Sequence, residues 1–197
     1  VNTPNKITVA RIAVTPLIAW LIYQDGLVER WAAFIVFVAA AVSDVVDGSL
    51  ARDKGEVTRF GQLLDPIADK MLVLVTILPL FGLGLVPLWL VILILAREVI
   101  ITVFRAYNYR EGHVIPATRW GKSKALSQNW FVGSLLVLRI NQMYAETRGF
   151  GGVSWGRWET FTRGVVEVAL WLVVGLTLLS MLDYLVRHRD LSIGRGA

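Results

Sequence analysis

Two stretches decide how this chain is read: Ser43-Asp44-Val45-Val46-Asp47-Gly48-Ser49-Leu50-Ala51-Arg52 and, eight residues later, Gly61-Gln62-Leu63-Leu64-Asp65-Pro66-Ile67-Ala68-Asp69-Lys70. Each carries a pair of aspartates at helical spacing, i,i+3 for Asp44 and Asp47 and i,i+4 for Asp65 and Asp69, so each pair falls on one face of a helix. Both stretches run into strongly apolar sequence. An ionisable side chain at the centre of a membrane helix costs about 2.5–3.5 kcal/mol on the insertion scale, so four carboxylates here need partners or a task.

Working outward, the composition fits a membrane. The chain has 197 residues, of which 55% are hydrophobic and 18% charged, and a mean hydropathy of +0.59. These values exclude a disordered chain and are too apolar for an ordinary soluble domain. The formal charge is +5, which the bilayer explains without nucleic acid. With no cysteine, disulfide frameworks, thiolate zinc sites and cysteine nucleophiles are excluded.

Apolar runs of about 20 residues, enough to cross a core of about 30 Å, occur six times. They are Ile7–Tyr23, Trp31–Leu50, Leu63–Leu83, Val86–Phe104, Leu126–Met143 and Val165–Val186. The expected fold is all-α: an integral membrane bundle of six transmembrane helices, forming a single domain over residues 1–197, with Asn2–Arg11 as a short N-terminal interfacial helix. The first run does not read as a signal peptide, since it holds Arg11 and Pro16, lacks a small-residue cleavage site and leads into further spans. The stretch Ala145–Arg163, with its glycines and tryptophans, reads as an outer loop with an aromatic interfacial segment.

Charge sets the orientation. Thirteen of the 20 Lys and Arg lie in the N-terminus, residues 51–62 and 105–125 and the C-terminal tail, five lie on the other side, and Lys70 and Arg97 fall within spans. The positive-inside rule then places both termini, and the aspartate pairs, at the cytoplasmic face of the cell membrane.

The aspartate helices are consecutive and joined by a short segment, so their acidic faces are expected to meet near that surface. Hard oxygen ligands without His or Cys suit two Mg²⁺ or Mn²⁺ ions. Ion pairing with Arg52, Lys70 or Arg97 would neutralise the site but leaves the paired spacing unexplained. Gly48 and Gly61 remove side chains beside the carboxylates and allow a ligand or a second helix to approach. Pro66 either belongs to the first turn of the third span or kinks it.

The complete pattern D-x-x-D-G-x-x-A-R-x8-G-x-x-x-D-x-x-x-D resembles the signature of the CDP-alcohol phosphotransferase family of membrane enzymes. Further matches extend the resemblance over nearly the whole chain: Pro4-Asn5-Lys6-Ile7-Thr8, Thr58-Arg59-Phe60-Gly61, Arg97-Glu98 with Arg105, and Gly121-Lys122-Ser123-Lys124. Together these are most similar to the branch of the family that makes phosphatidylglycerophosphate, with Ala125 departing from the threonine usual there.

The resemblance implies transfer of the phosphatidyl group from CDP-diacylglycerol to sn-glycerol 3-phosphate, with CMP released, by a two-metal in-line displacement. It assigns Asp44, Asp47, Asp65 and Asp69 to the metals and makes Asp69 the general base for the acceptor hydroxyl. Gly48, Ala51 and Arg52 match the nucleotide-lining positions, with Gly61, Thr58 and Asn5 as further contacts to the CDP-lipid. Arg105, Lys122 and Lys124 match basic positions expected to hold the acceptor phosphate, and Arg119 lies close by in sequence. Glu98 and Arg105, spaced i,i+7, are expected to share a face and to pair. The family also implies a homodimer. Two alternatives stand beside this reading: another acceptor (inositol phosphate, serine or phosphatidylglycerol) on the same fold, or a divalent-cation transporter using the intramembrane aspartates.

Overall fold

The computed structural model describes residues 3–53, 59–110, 119–148 and 153–187, with side chains described over 9–43, 70–104, 123–145, 156–184 and at 186. Among these residues the protein is all-helical, with six helices: α1 (Thr3–Ile22), α2 (Leu27–Asp53), α3 (Arg59–Gly82), α4 (Leu88–Arg110), α5 (Arg119–Arg148) and α6 (Val153–Arg187).

Each helix covers all or nearly all of one of the six apolar runs; α2, α5 and α6 extend past both ends of theirs, α1 and α3 past the N-terminal end and α4 past the C-terminal end. Helix formation needs only backbone hydrogen bonds and tolerable side chains, so it continues into the polar flanks where hydropathy stops. Two expectations change as a result. The N-terminal segment is not a separate interfacial helix but the first turns of α1, because nothing between Thr3 and Arg11 interrupts the backbone and Pro4 sits where its missing N–H costs nothing. The stretch Ala145–Arg163 is likewise mostly helical, divided between the end of α5 and the start of α6. Within it Trp158 and Phe161 stack with centroids 5.6 Å apart.

The turns have local causes. Chain reversal after α1 begins with the amides of Tyr23 and Gln24 bonding back to Trp20 and Leu21, and α2 opens with Glu29 in its first turn, favourable to the helix dipole. The end of α3 is a Schellman motif: Leu85 N–H donates to the Leu80 carbonyl, Gly84 N–H to that of Phe81. Gly84 takes the left-handed conformation this requires, at φ 74°. Pro87 immediately precedes α4, and its carbonyl accepts from Leu90 and Val91.

The chain divides into two compact units. One comprises Val1–Val86 and Val132–Val166, the other Pro87–Phe131 and Glu167–Ala197. In the first, α1 packs along α2 and α3, with Ile18, Ile22, Phe37, Ile77 and Leu80 almost fully buried. A Cβ at Gly133 of α5 would lie 3.9 Å from the Phe37 ring, and one at Gly82 would lie 3.1 Å from the Tyr23 hydroxyl, so both glycines leave room for an aromatic neighbour. The same unit holds a polar clamp. Arg139 of α5 donates to the carbonyl of Ile22, the last residue of α1, and Arg30 of α2 donates to the main-chain carbonyl of Arg139 at 2.8 Å. In the second unit Leu90, Ile94, Phe131 and Val173 are buried, and Phe104 meets Tyr184 edge to face at 5.5 Å.

Large apolar side chains also line exposed surface, among them Trp20, Ile35, Val103, Val168 and Trp171. Among the described residues one helical segment, Gly156–Tyr184, is long and apolar enough to cross a bilayer, and Val9–Ile22 and Lys70–Gly82 are shorter apolar segments.

Candidate active site

The aspartate pairs lie at the facing ends of two consecutive helices in the first unit. Asp44 and Asp47 occupy the last turns of α2, and Asp65 and Asp69 the early turns of α3. Measured along the helix axes, Asp47 is six residues before the end of α2 and Asp65 six residues after the start of α3, about 9 Å in each case. Asp44 and Asp69 lie a further turn away from the same connection. The backbone therefore sets both pairs at matching heights from the segment 54–58 that joins the helices. Pro66 lies within α3, since the helix already starts at Arg59. It cannot donate to the carbonyl of Gln62, four residues before it.

Gly48, Ala51 and Arg52 continue the last turns of α2 and Gly61 lies in the first turn of α3. Asn5 lies in the first turn of α1, Arg105 near the end of α4, and Arg119 and Lys122 in the first turn of α5. The side chains at all these positions, and those of the four aspartates, lie outside the described residues, as does Thr58 altogether. As a donor set, four carboxylates in two helical pairs fit a hard divalent ion such as Mg²⁺ or Mn²⁺ and offer nothing to a soft one.

Lys124 is the sequence-derived candidate whose surroundings are described, and they contain a partner that spacing did not indicate. Its side chain is buried, and its ammonium forms a salt bridge with the Glu98 carboxylate of α4. The same Glu98 oxygen accepts from Arg97 Nη1 at 3.1 Å, and Arg97 Nη2 donates to the Ser180 hydroxyl of α6 at 2.5 Å. Thr102 Oγ1 donates to the Glu98 carbonyl at 2.6 Å, which ties the next turn of α4 to the same residue. One carboxylate thus joins α4 to α5, and Arg97 joins α4 to α6, all within the second unit. Glu98 was expected to pair with Arg105, on its own helix; its described partners are its neighbour Arg97 and Lys124, 26 residues away.

Sequence reading also passed over Ser180 and Gln128. Ser180 lies with Thr177 and Tyr184 on one buried stripe of α6, at i,i+3 and i+7, a small polar signal inside an apolar run. Gln128 lies one turn beyond Lys124, and that spacing was available in the sequence.

An all-helical chain with apolar helices, two aspartate pairs on consecutive helices and a buried cationic cluster has the parts of an intramembrane phosphotransferase. The chain matches the family model of the CDP-alcohol phosphatidyltransferases over residues 1–186. It belongs to that family. It is 32% identical, over 95% of both chains, to a protein of Bacillus subtilis named CDP-diacylglycerol–glycerol-3-phosphate 3-phosphatidyltransferase. A probable phosphatidylglycerophosphate synthase of Mycobacterium tuberculosis is 38% identical over 71% of this chain and 68% of its own. A CMP-forming cardiolipin synthase of Streptomyces coelicolor is 31% identical over 84% of this chain and 80% of its own. The protein is a transferase of this family, which leaves the cation-transport reading without support.

Proposed function

We propose that the protein transfers the phosphatidyl group of CDP-diacylglycerol to sn-glycerol 3-phosphate, forming phosphatidylglycerophosphate and releasing CMP. The observation that carries this reading is the complete aspartate motif on the end of α2 and the start of α3, set at matching heights from the segment that joins them. Relatives that align over nearly the whole chain bear the name of this reaction.

Asp44, Asp47, Asp65 and Asp69 would hold two Mg²⁺ or Mn²⁺ ions. When bound, these ions neutralise the diphosphate and the charge that develops on its oxygens during in-line displacement. Asp69 takes the proton of the glycerol 1-hydroxyl as its oxygen attacks the β-phosphorus; the phosphorus–oxygen bond to CMP breaks and CMP leaves with that electron pair. Gly48, Ala51 and Gly61 give the cytidine close access, Arg52 meets a phosphate oxygen, and Thr58 and Asn5 add hydrogen bonds to the nucleotide. Arg105, Lys122 and Lys124 bind the acceptor phosphate, with Arg119 as an auxiliary cation and Glu98 holding Lys124 in place. A phosphomonoester carries close to two negative charges at neutral pH, which accounts for several cations at one acceptor.

We further propose that all six helices cross the cell membrane, since the shortest, 20 residues long, already spans about 30 Å. Exposed Trp, Val and Ile side chains then face lipid. Both termini and the aspartates lie on the cytoplasmic side, residues 1–197 act as one catalytic domain, and the enzyme works as a homodimer.

The test is CMP release and lipid-product formation by purified protein in detergent with CDP-diacylglycerol, Mg²⁺ or Mn²⁺, and each acceptor in turn. Turnover is expected with glycerol 3-phosphate and not with inositol phosphate, serine or phosphatidylglycerol; turnover with phosphatidylglycerol alone would make it a cardiolipin-forming enzyme. Asp69→Asn should abolish CMP release while CDP-lipid binding persists, and near-normal turnover would remove Asp69 as the base. Chelation of divalent ions should stop the wild-type reaction.

A further inference from the structure

Lys124 and Gln128 are one turn apart on α5, so their side chains leave the helix about 40° from one another. Both are buried, Gln128 to within 3% of full burial and Lys124 to within 5%. Between them Ser127 turns its hydroxyl back to the Lys124 carbonyl at 2.8 Å, a local bond that satisfies it. Lys124 has the Glu98 carboxylate. Gln128 differs from both: its amide nitrogen Nε2 is buried and has no hydrogen-bond partner.

A buried amide N–H without an acceptor opposes folding, and a methionine or leucine of similar volume would fill the same space without that cost. An oxygen arriving from outside the protein would satisfy this donor. It lies one helical turn from an ammonium held by a second helix, so the arriving oxygen belongs to an anion or to a group attached to one. An ammonium beside a neutral amide donor suits a phosphate ester, since the first supplies charge and the second a directed hydrogen bond.

We propose that Gln128 is a specificity-determining residue for the acceptor: Nε2 donates to a phosphate oxygen of the phosphorylated polyol that Lys124 also contacts. The proposal rests on the reading that the acceptor is glycerol 3-phosphate. The two observations behind it, the unpartnered Gln128 amide and the Lys124–Glu98 ion pair, both lie on α4 and α5 within the second unit.

The test is steady-state kinetics and thermal unfolding of the full-length protein in detergent, with CDP-diacylglycerol, Mn²⁺ and glycerol 3-phosphate, for wild type, Gln128→Met and Gln128→Glu. For Gln128→Met the KM for glycerol 3-phosphate should rise about tenfold, the effect of one lost hydrogen bond to a charged group. Its kcat should stay within about twofold and its KM for CDP-diacylglycerol should not move. Without acceptor its Tm should equal or exceed that of wild type, because an unsatisfied donor has been removed. The stabilisation that glycerol 3-phosphate confers on wild type should shrink. Gln128→Glu, which exchanges a donor for a negative charge, should raise the same KM further. An unchanged KM in both variants would overturn the proposal, as would a Gln128→Met variant that unfolds at lower temperature, which would make the glutamine a structural residue. Absence of wild-type turnover with glycerol 3-phosphate would overturn the acceptor assignment instead, and is seen before any variant is compared.

Discussion

Arg139 in one unit and Arg97 in the other are both buried inside apolar helices, yet they are satisfied in opposite ways. Arg139 donates to the main-chain carbonyl that ends α1, and Arg30 in turn donates to the main-chain carbonyl of Arg139. Arg97 gives its guanidinium to side chains, the Ser180 hydroxyl and the Glu98 carboxylate, and Glu98 also receives Lys124. A helix-end carbonyl cannot move unless the helix moves, so the Arg139 clamp fixes the end of α1 and the turn into α2. A side-chain acceptor can be shared with, or yield to, an arriving phosphate. Buried cations on main-chain acceptors therefore belong to the architecture, whereas buried cations joined through one carboxylate suit a binding site.

Substitutions at three residues test that contrast. The largest stability effect is expected for Arg139→Met, which leaves the Ile22 carbonyl without its charged donor at a buried helix end. Loss of one such hydrogen bond should cost about 2 kcal/mol, read as a lower Tm in detergent, with the KM for glycerol 3-phosphate unmoved in the protein that remains folded. Arg30 keeps its acceptor in this variant, because that acceptor is the backbone of residue 139. A raised KM without loss of Tm would reverse the assignment of the two clusters.

Glu98→Gln should behave differently. The amide keeps the volume and one acceptor oxygen but releases Lys124 from its charge partner, so the KM for glycerol 3-phosphate should rise about fivefold, equivalent to about 1 kcal/mol, with kcat and the KM for CDP-diacylglycerol little changed. Glu98→Asp, which keeps the charge on a shorter arm, should recover part of that loss. A fall in Tm with no change in KM would make Glu98 purely architectural.

The smallest effect belongs to a surface pair. Arg163 meets Glu159 at 2.7 Å, but its side chain is 58% exposed, and an exposed i,i+4 pair is worth about 0.3–0.5 kcal/mol. Arg163→Ala should leave both Tm and kinetics nearly as they were, and a large change would show that position, rather than burial and acceptor type, governs the cations of this protein.

Much of this was legible in the sequence because it depends on local periodicity. Spacings of three and four place Asp44 with Asp47 and Asp65 with Asp69 whatever the rest of the chain does, and six apolar runs predict six helices. The limits of the helices were less legible. The outer loop expected over 145–163 is mostly helix, because hydropathy reports where lipid is tolerated and not where backbone hydrogen bonding stops. The end of α3 has a local cause, since the left-handed residue that closes it is Gly84 and glycine takes that conformation at no steric cost.

The cationic clusters were not legible in the same way. Arg139 counted as one more outer charge, and nothing in its neighbours indicates that it reaches Ile22, 117 residues earlier. For Glu98 the spacing i,i+7 indicates Arg105, whose side chain lies outside the described residues, whereas nothing local indicates Lys124, which reaches the same carboxylate from α5. By itself the sequence determined an all-helical apolar chain, its family and the register of its four aspartates, since these follow from residue type and helical repeat. The partner of each buried cation was decided by tertiary structure, because burial leaves a charge only the acceptors that packing brings within about 3 Å, and packing joins residues far apart in the chain.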